Sequence, residues 1–150
     1  MAVRRLIPKD IQTLVRQRAN CLCKYCHTSE QWQYVEFTIE HIIPLDKNGL
    51  DAIDNLALAC FHCNRKKSDK TTAIDSDSGA EVSLFNPRIN NWNDHFIWSA
   101  DKLYIIGLTV IGRVTIAALA LNRERVISIR SADKLIGRHP PVDDPILVEN

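Results

Sequence analysis

The 150-residue chain lacks a strong charge of either sign: 19 Lys and Arg stand against 18 Asp and Glu, a net +1. The overall balance therefore announces no polyanionic partner, and such a partner would have to be met by a local patch. No export signal is visible, because Met1-Ala2-Val3-Arg4-Arg5 leads into Leu6-Ile7-Pro8-Lys9-Asp10 without an apolar stretch. There is also no clean membrane span. The longest apolar stretch, Leu103 to Leu121, is interrupted by Gly107, Gly112 and Arg113 and reads as a strand followed by a buried helix. These absences lead us to expect a cytoplasmic protein without a membrane partner, and they leave the oligomeric state open. Five cysteines, an odd count in a chain without an export signal, argue against a disulfide framework and for metal binding.

What charge there is clusters. Residues 1–26 carry Arg4, Arg5, Lys9, Arg16, Arg18 and Lys24 against Asp10 alone, and residues 60–70 carry Arg65, Lys66, Lys67 and Lys70 against Asp69 alone. Folded together they would make a basic rim around the acidic stretch between them; left apart, they are solvated faces of mixed charge.

Cys23-Lys24-Tyr25-Cys26 and Cys60-Phe61-His62-Cys63 are two C-x-x-C pairs. Each pair can present both thiolates from one tight turn, and two pairs complete a tetrahedral Cys₄ zinc site with no open position, the structural kind. The physical need is plain. Cys21 to Lys70 is too short to build a self-sufficient apolar core. Structural zinc contributes roughly 10–16 kcal/mol in small finger peptides, as much as the roughly 5–15 kcal/mol that stabilises a whole domain. Cys21 is left over and reads as a free thiol. A redox role for the C-x-x-C pairs is the competing reading, and bound zinc would count against it.

Periodicity predicts a helix over residues 7–19, a strand over Trp32–Ile39, a loop at Lys47–Asp51, a short strand at Asn55–Ala59 and a basic helix at Asn64–Lys70. Residues 71–80 are small and polar and read as a surface connection. Beyond them come irregular or short β structure to Trp98, a strand at Lys102–Thr109, helices at Gly112–Asn122 and Arg123–Gly137, and an extended tail from His139. The expected organisation is a core over 1–70, a connection over 71–80 and a C-terminal β/helical extension over 81–150 packed on the core. Trp92, Phe96 and Trp98 are expected in the core. His95 is expected to be structural rather than an accessory site residue, His62 to be exposed on its knuckle rather than in contact with a phosphate or metal, and Arg123, Arg125 and Arg130 to be paired surface charges, with contact to nucleic acid as the alternative. Arg65, Lys66, Lys67 and Lys70 are candidates for sequence-independent phosphate contacts, or else a solvated helix face.

Between the knuckles lies Ile39-Glu40-His41-Ile42-Ile43-Pro44, with an adjacent Glu-His pair at the end of a predicted strand. Neighbouring strand residues face opposite ways, so one can meet a metal while the other reaches a nearby water only if the strand end bends. Then follow Asp54-Asn55-Leu56 and Cys60-Phe61-His62-Cys63-Asn64-Arg65-Lys66-Lys67. From Ala19 to Lys70 this combination resembles the HNH endonuclease family, in its version with two zinc knuckles. Less diagnostic stretches, Leu84–Arg88 and Asn91–Trp98, resemble an extension of small bacterial stand-alone HNH proteins.

The resemblance implies an α+β fold built on a ββα-metal core and metal-dependent cleavage of phosphodiesters, with DNA the default substrate and 5′-phosphate and 3′-hydroxyl ends. It implies His41 as general base, Glu40 and Asn64 as ligands of a catalytic Mg²⁺ or Mn²⁺, and Asn55 as the residue tying the loop to the strands. Lys67 matches the Cys-x-x-Cys-Asn-x-x-Lys pattern. Glu40 departs from the Asp common at its position. The competing reading is a non-catalytic zinc-knuckle module that binds nucleic acid; such a module has no need of Glu40, His41 and Asn64 together.

Overall fold

The computed structural model of the protein describes residues 7–141. Helix α1 (Lys9–Arg18) starts at Pro8, whose fixed φ of −56° suits the entry to a helix. It buries Val15 completely. It stops where Asn20 and Cys21 turn left-handed and the Cys21 amide bonds back to the Arg16 carbonyl. The first cysteine pair follows in a knuckle closed by His27 N–H donating to Cys23 O.

Strand β1 (Thr38–His41) pairs antiparallel with β2 (Leu56–Ala59), Thr38 opposite Ala59 and His41 opposite Leu56. All four β2 residues are buried. Helix α2 (Phe61–Lys67) leaves β2 at once, with the Cys60 sulfur accepting from the Cys63 amide as its cap. This is a ββα unit. The expected strand over Trp32–Ile39 is real only from Thr38. β2 offers four residues to pair with, and Tyr34 and Val35 lie exposed beyond its reach. The basic helix begins at Phe61 rather than Asn64, because the second knuckle is itself the first turn, and ends where Ser68 takes φ +51°.

The expected connection at 71–80 is largely ordered structure: β3 (Thr72–Ile74) and the turn leading to β4 (Glu81–Ser83), with which it pairs antiparallel. Asp75 accepts from the Ser78 amide and hydroxyl in that turn. Then come α3 (Trp92–His95), the hairpin β5 (Phe96–Trp98) and β6 (Ile105–Gly107), α4 (Val110–Leu119) and α5 (Glu124–Leu135). The Leu103–Leu121 stretch is thus a short strand and a helix, and among the described residues no helix is long and apolar enough to cross a membrane. The β6 strand is shorter than expected because Lys102 turns left-handed and Asp101 and Ser99 organise a turn in front of it. Of the expected tail, Pro145 lies outside the described residues, as do Arg4 and Arg5.

One apolar cluster runs from Val15 through Tyr25, Leu58 and the four knuckle cysteines to Phe85, Trp92, Phe96, Trp98 and Leu121. Trp92 donates its indole N–H to the Tyr25 carbonyl at 3.0 Å, and its ring stacks on His27 at 4.0 Å. The C-terminal part is therefore packed directly against the first knuckle.

Candidate metal centre and catalytic face

The two knuckles converge. The sulfurs of Cys23, Cys26, Cys60 and Cys63 all lie within 4.8 Å of one another. The Cys26 and Cys60 sulfurs are 3.8 Å apart, the edge of a tetrahedron of roughly 2.3 Å Zn–S bonds. Hydrogen bonds from Cys23, Cys60 and Cys63 hold the Cys26 thiol well below its ordinary pKa, while burial pushes Cys23 well above. Four buried sulfur donors converging on one point are a centre that a thiophilic cation would satisfy. The donor set and spacing are those of a closed structural zinc site. Cys21, half-buried, stands outside it.

Glu40 and His41 point to different partners. The Glu40 carboxylate is 7% exposed. Its Oε1 accepts from the Tyr25 hydroxyl at 2.9 Å and faces the Lys67 ammonium at 3.2 Å. Lys67 also donates to the Ile42 carbonyl at 2.6 Å. Burial pushes the Glu40 carboxyl up, and the Lys67 charge and the Tyr25 hydrogen bond pull it part of the way back. Lys67 therefore is not one of the phosphate-contacting residues expected at the surface. It is 1% exposed and locks the end of α2 to β1. Both the Tyr25 hydrogen bond and the Lys67 ion pair fall on Oε1. Asn64 sits one turn before Lys67 on the same helix, half-buried, so it is turned toward the same side.

His41 projects from the other face of β1, and the strand does not bend, since His41 is still paired with Leu56. Glu40 and His41 therefore leave β1 on opposite faces, yet the His41 imidazole is near enough for its charge to pull the Glu40 carboxyl pKa down. The His41 Nε2 lies 2.9 Å from Asp51 Oδ1, with the two side chains 21% and 39% exposed. Asp51 escaped the sequence reading because it lies in a turn ten residues from its partner. What brings it there is Asn55. The Asn55 side chain is buried, accepts from Ile43 N–H at 2.9 Å, and donates to Ile43 O at 2.9 Å and Leu50 O at 2.8 Å. Two of these three bonds hold the segment just after His41, and the third holds the residue just before Asp51. Gly49 completes the fold-back. A Cβ there would stand 1.8 Å from the Ile43 carbonyl oxygen, so only glycine lets the loop lie this close.

The expected basic rim is thinner than the sequence allowed. Arg16 is engaged by Glu30 and the Phe37 carbonyl, and Arg18 by the Ile53 and Leu56 carbonyls. Arg65, Lys66 and Lys70 remain exposed on α2 and just after it. His62 is not a bare knuckle residue: its Nε2 lies 3.0 Å from the Leu119 carbonyl oxygen. Arg130, expected at the surface, is buried and donates to the Leu103 and Leu121 carbonyls. His95, expected to be structural, is 2.6 Å from the Thr109 hydroxyl.

Two antiparallel strands, a helix and four converging cysteines define a small ββα-metal domain. The comparison with protein families agrees. Residues 23–70, just under a third of the chain, match the HNH endonuclease family model, and the four cysteines of this segment are clustered as a zinc knuckle requires. No curated protein and no solved structure matches the chain significantly.

Proposed function

We propose that the protein is an endonuclease that hydrolyses nucleic-acid phosphodiesters, DNA by default, with His41 as general base. The observation that carries this reading is the His41–Asp51 pair, held at 2.9 Å by the Asn55 staple inside the HNH segment. An ionised carboxylate only accepts hydrogen bonds, so Asp51 selects the tautomer with the proton on Nε2. Nδ1 is then the nitrogen with a free lone pair. It takes the proton of the attacking water as the new P–O bond forms and the bond to the 3′ oxygen breaks; the departing 3′ oxyanion takes a proton from solvent water, leaving 5′-phosphate and 3′-hydroxyl ends. Asp51 stabilises the imidazolium as it forms. Asp51 and Asn55 act through His41 and are positioning residues.

Oxygen donors suit Mg²⁺ or Mn²⁺, and Glu40 through Oε2 together with Asn64 are the residues that would hold it. Such an ion would supply positive charge to the phosphoryl oxygens. Lys67 and Tyr25 fix the Glu40 carboxylate so that its second oxygen does not wander. Zinc at the cysteines acts only as a brace. Arg65, Lys66 and Lys70 give phosphate affinity without sequence choice.

The test is plasmid nicking by the zinc-loaded protein with and without added Mg²⁺ or Mn²⁺, repeated with His41→Ala. Metal-dependent nicking that the variant loses, with its zinc content intact, is the expected result. Nicking by the variant at the wild-type rate would remove His41 from the mechanism. A second reading, a non-catalytic nucleic-acid-binding module, is favoured by one observation: the Glu40 charge is already matched by Lys67. Nucleic-acid binding with no cleavage under any divalent ion would decide for it.

A further inference from the structure

A cavity of about 270 Å³ opens beside the zinc knuckles, lined in part by Cys26 and Cys60. Of the chain's ten aromatic residues, Trp32, Tyr34, Phe61 and Tyr104 are exposed, and the first three of these line this one cavity. Val126 and Ile129 add apolar surface to its wall. The rim carries Arg123, Arg138 and His62, and the Arg138 guanidinium already lies 4.1 Å from the centre of the Trp32 ring. Among the described residues of the lining, Asp133 is the one carboxylate. The volume falls just under the roughly 300–1,000 Å³ of drug-sized ligand sites, which suits a single planar group. A flat apolar wall with arginines at its edge matches a flat aromatic group that carries a negative charge beside it.

The cavity is also continuous with the basic face. His62 lies on the wall, and Arg65 and Lys66 follow it at i+3 and i+4 on α2, on the same side of the helix. We propose that this cavity seats one unpaired nucleotide, its base against Trp32 and Phe61 and its phosphate toward Arg123 and Arg138. A strand that tracks Arg65 and Lys66 would be led over His62 into it. The proposal rests on the nuclease reading for the kind of partner, and it adds that the preferred substrate has a single-stranded segment beside the cut. Bases in an intact duplex are stacked on one another and cannot offer a face to these rings, whereas unpaired bases stack on aromatic side chains regardless of sequence.

The test is fluorescence anisotropy with the full-length, zinc-loaded protein and no added divalent ion, so that binding is read without cleavage. The probes are a short labelled DNA single strand and the same sequence as a blunt duplex. Trp32→Ala and Phe61→Ala should each weaken single-strand binding about tenfold or more, and duplex binding by less than about twofold. Trp32→Phe should recover most of the loss. Zinc content and thermal melting check the fold. Should an aromatic variant fail to fold, Arg123→Ala carries the same expectation with a smaller loss. Wild-type protein that does not bind the single strand, variants that bind it like the wild type, or equal losses on both probes would overturn the proposal. Each of these results is independent of whether His41→Ala abolishes nicking, so the cavity and the nuclease reading can fail separately.

Discussion

The ββα region and the C-terminal part share one apolar cluster but are built by different means. From Phe85 through α3 and the β5–β6 hairpin, ordinary packing does the work: Phe85, Phe96, Trp92 and Trp98 form a chain of ring contacts with centroids 5.1–5.9 Å apart. In the ββα region β1 and β2 are only four residues long, and polar side chains tie the backbone together. Asn55 holds Ile43 and Leu50, Lys67 holds Ile42 and Glu40, Arg16 holds Phe37, and four sulfurs close the base. Polar staples place groups precisely in direction but contribute little net free energy each, about 0.5–1.5 kcal/mol. A region built this way can keep His41 and Asp51 at the surface, and its four converging sulfurs are where a bound metal would add the stability that packing does not.

That contrast can be broken most forcefully by taking the metal away. Chelation, or Cys60→Ser, should remove on the order of 10 kcal/mol from the ββα region. Hydrogen exchange should then show the amides of β1 and β2 losing protection before those of α4. Simultaneous loss in both parts would show a single cooperative unit and erase the distinction. Next in size are two single substitutions, one on each side. Lys67→Met leaves the Glu40 carboxylate buried without its partner and should cost roughly 3–5 kcal/mol in denaturant unfolding. Pairing it with Glu40→Gln should recover much of that loss, because no charge then remains buried. Trp92→Ala should cost about 3–5 kcal/mol through the cavity it leaves, and no second polar change should rescue it. The smallest effect belongs to the surface. Arg65→Ala and Lys66→Ala should leave the melting temperature unchanged, while each lowers the salt slope of DNA binding by about 0.9.

The two parts also differed in how far they could be read from sequence. The knuckles were legible because C-x-x-C spacing encodes a local turn, and the convergence of the four cysteines follows from it. Trp92, Phe96 and Trp98 were legible because bulky rings in a small domain have few places to go. The strand at Trp32–Ile39 is shorter than its β propensity implies, because propensity cannot show that its partner is only four residues long. The turn-rich 71–80 segment hid β3, whose residues are half-exposed and carry no alternation to betray them. Lys67 matched its motif position but was given the wrong role. A lysine at the end of a basic helix looks solvated, and only the neighbouring Glu40 and the Ile42 carbonyl make burial affordable. Asp51 carried no signal at all. Its place beside His41 is the product of Asn48 turning left-handed, Gly49 lying against Ile43, and Asn55 closing the loop.

The most direct measurement is a cleavage-rate cycle on a nicked-plasmid assay: wild type, His41→Ala, Asp51→Asn and the double variant, each loaded with zinc and supplied with the same divalent ion. If Asp51 works through His41, His41→Ala should lose about 10²–10⁴-fold in rate. Asp51→Asn should lose less, and the double variant should be no slower than His41→Ala alone. Losses that multiply would mean that the two side chains act independently, and a His41→Ala protein that cuts at the wild-type rate would contradict the catalytic reading itself.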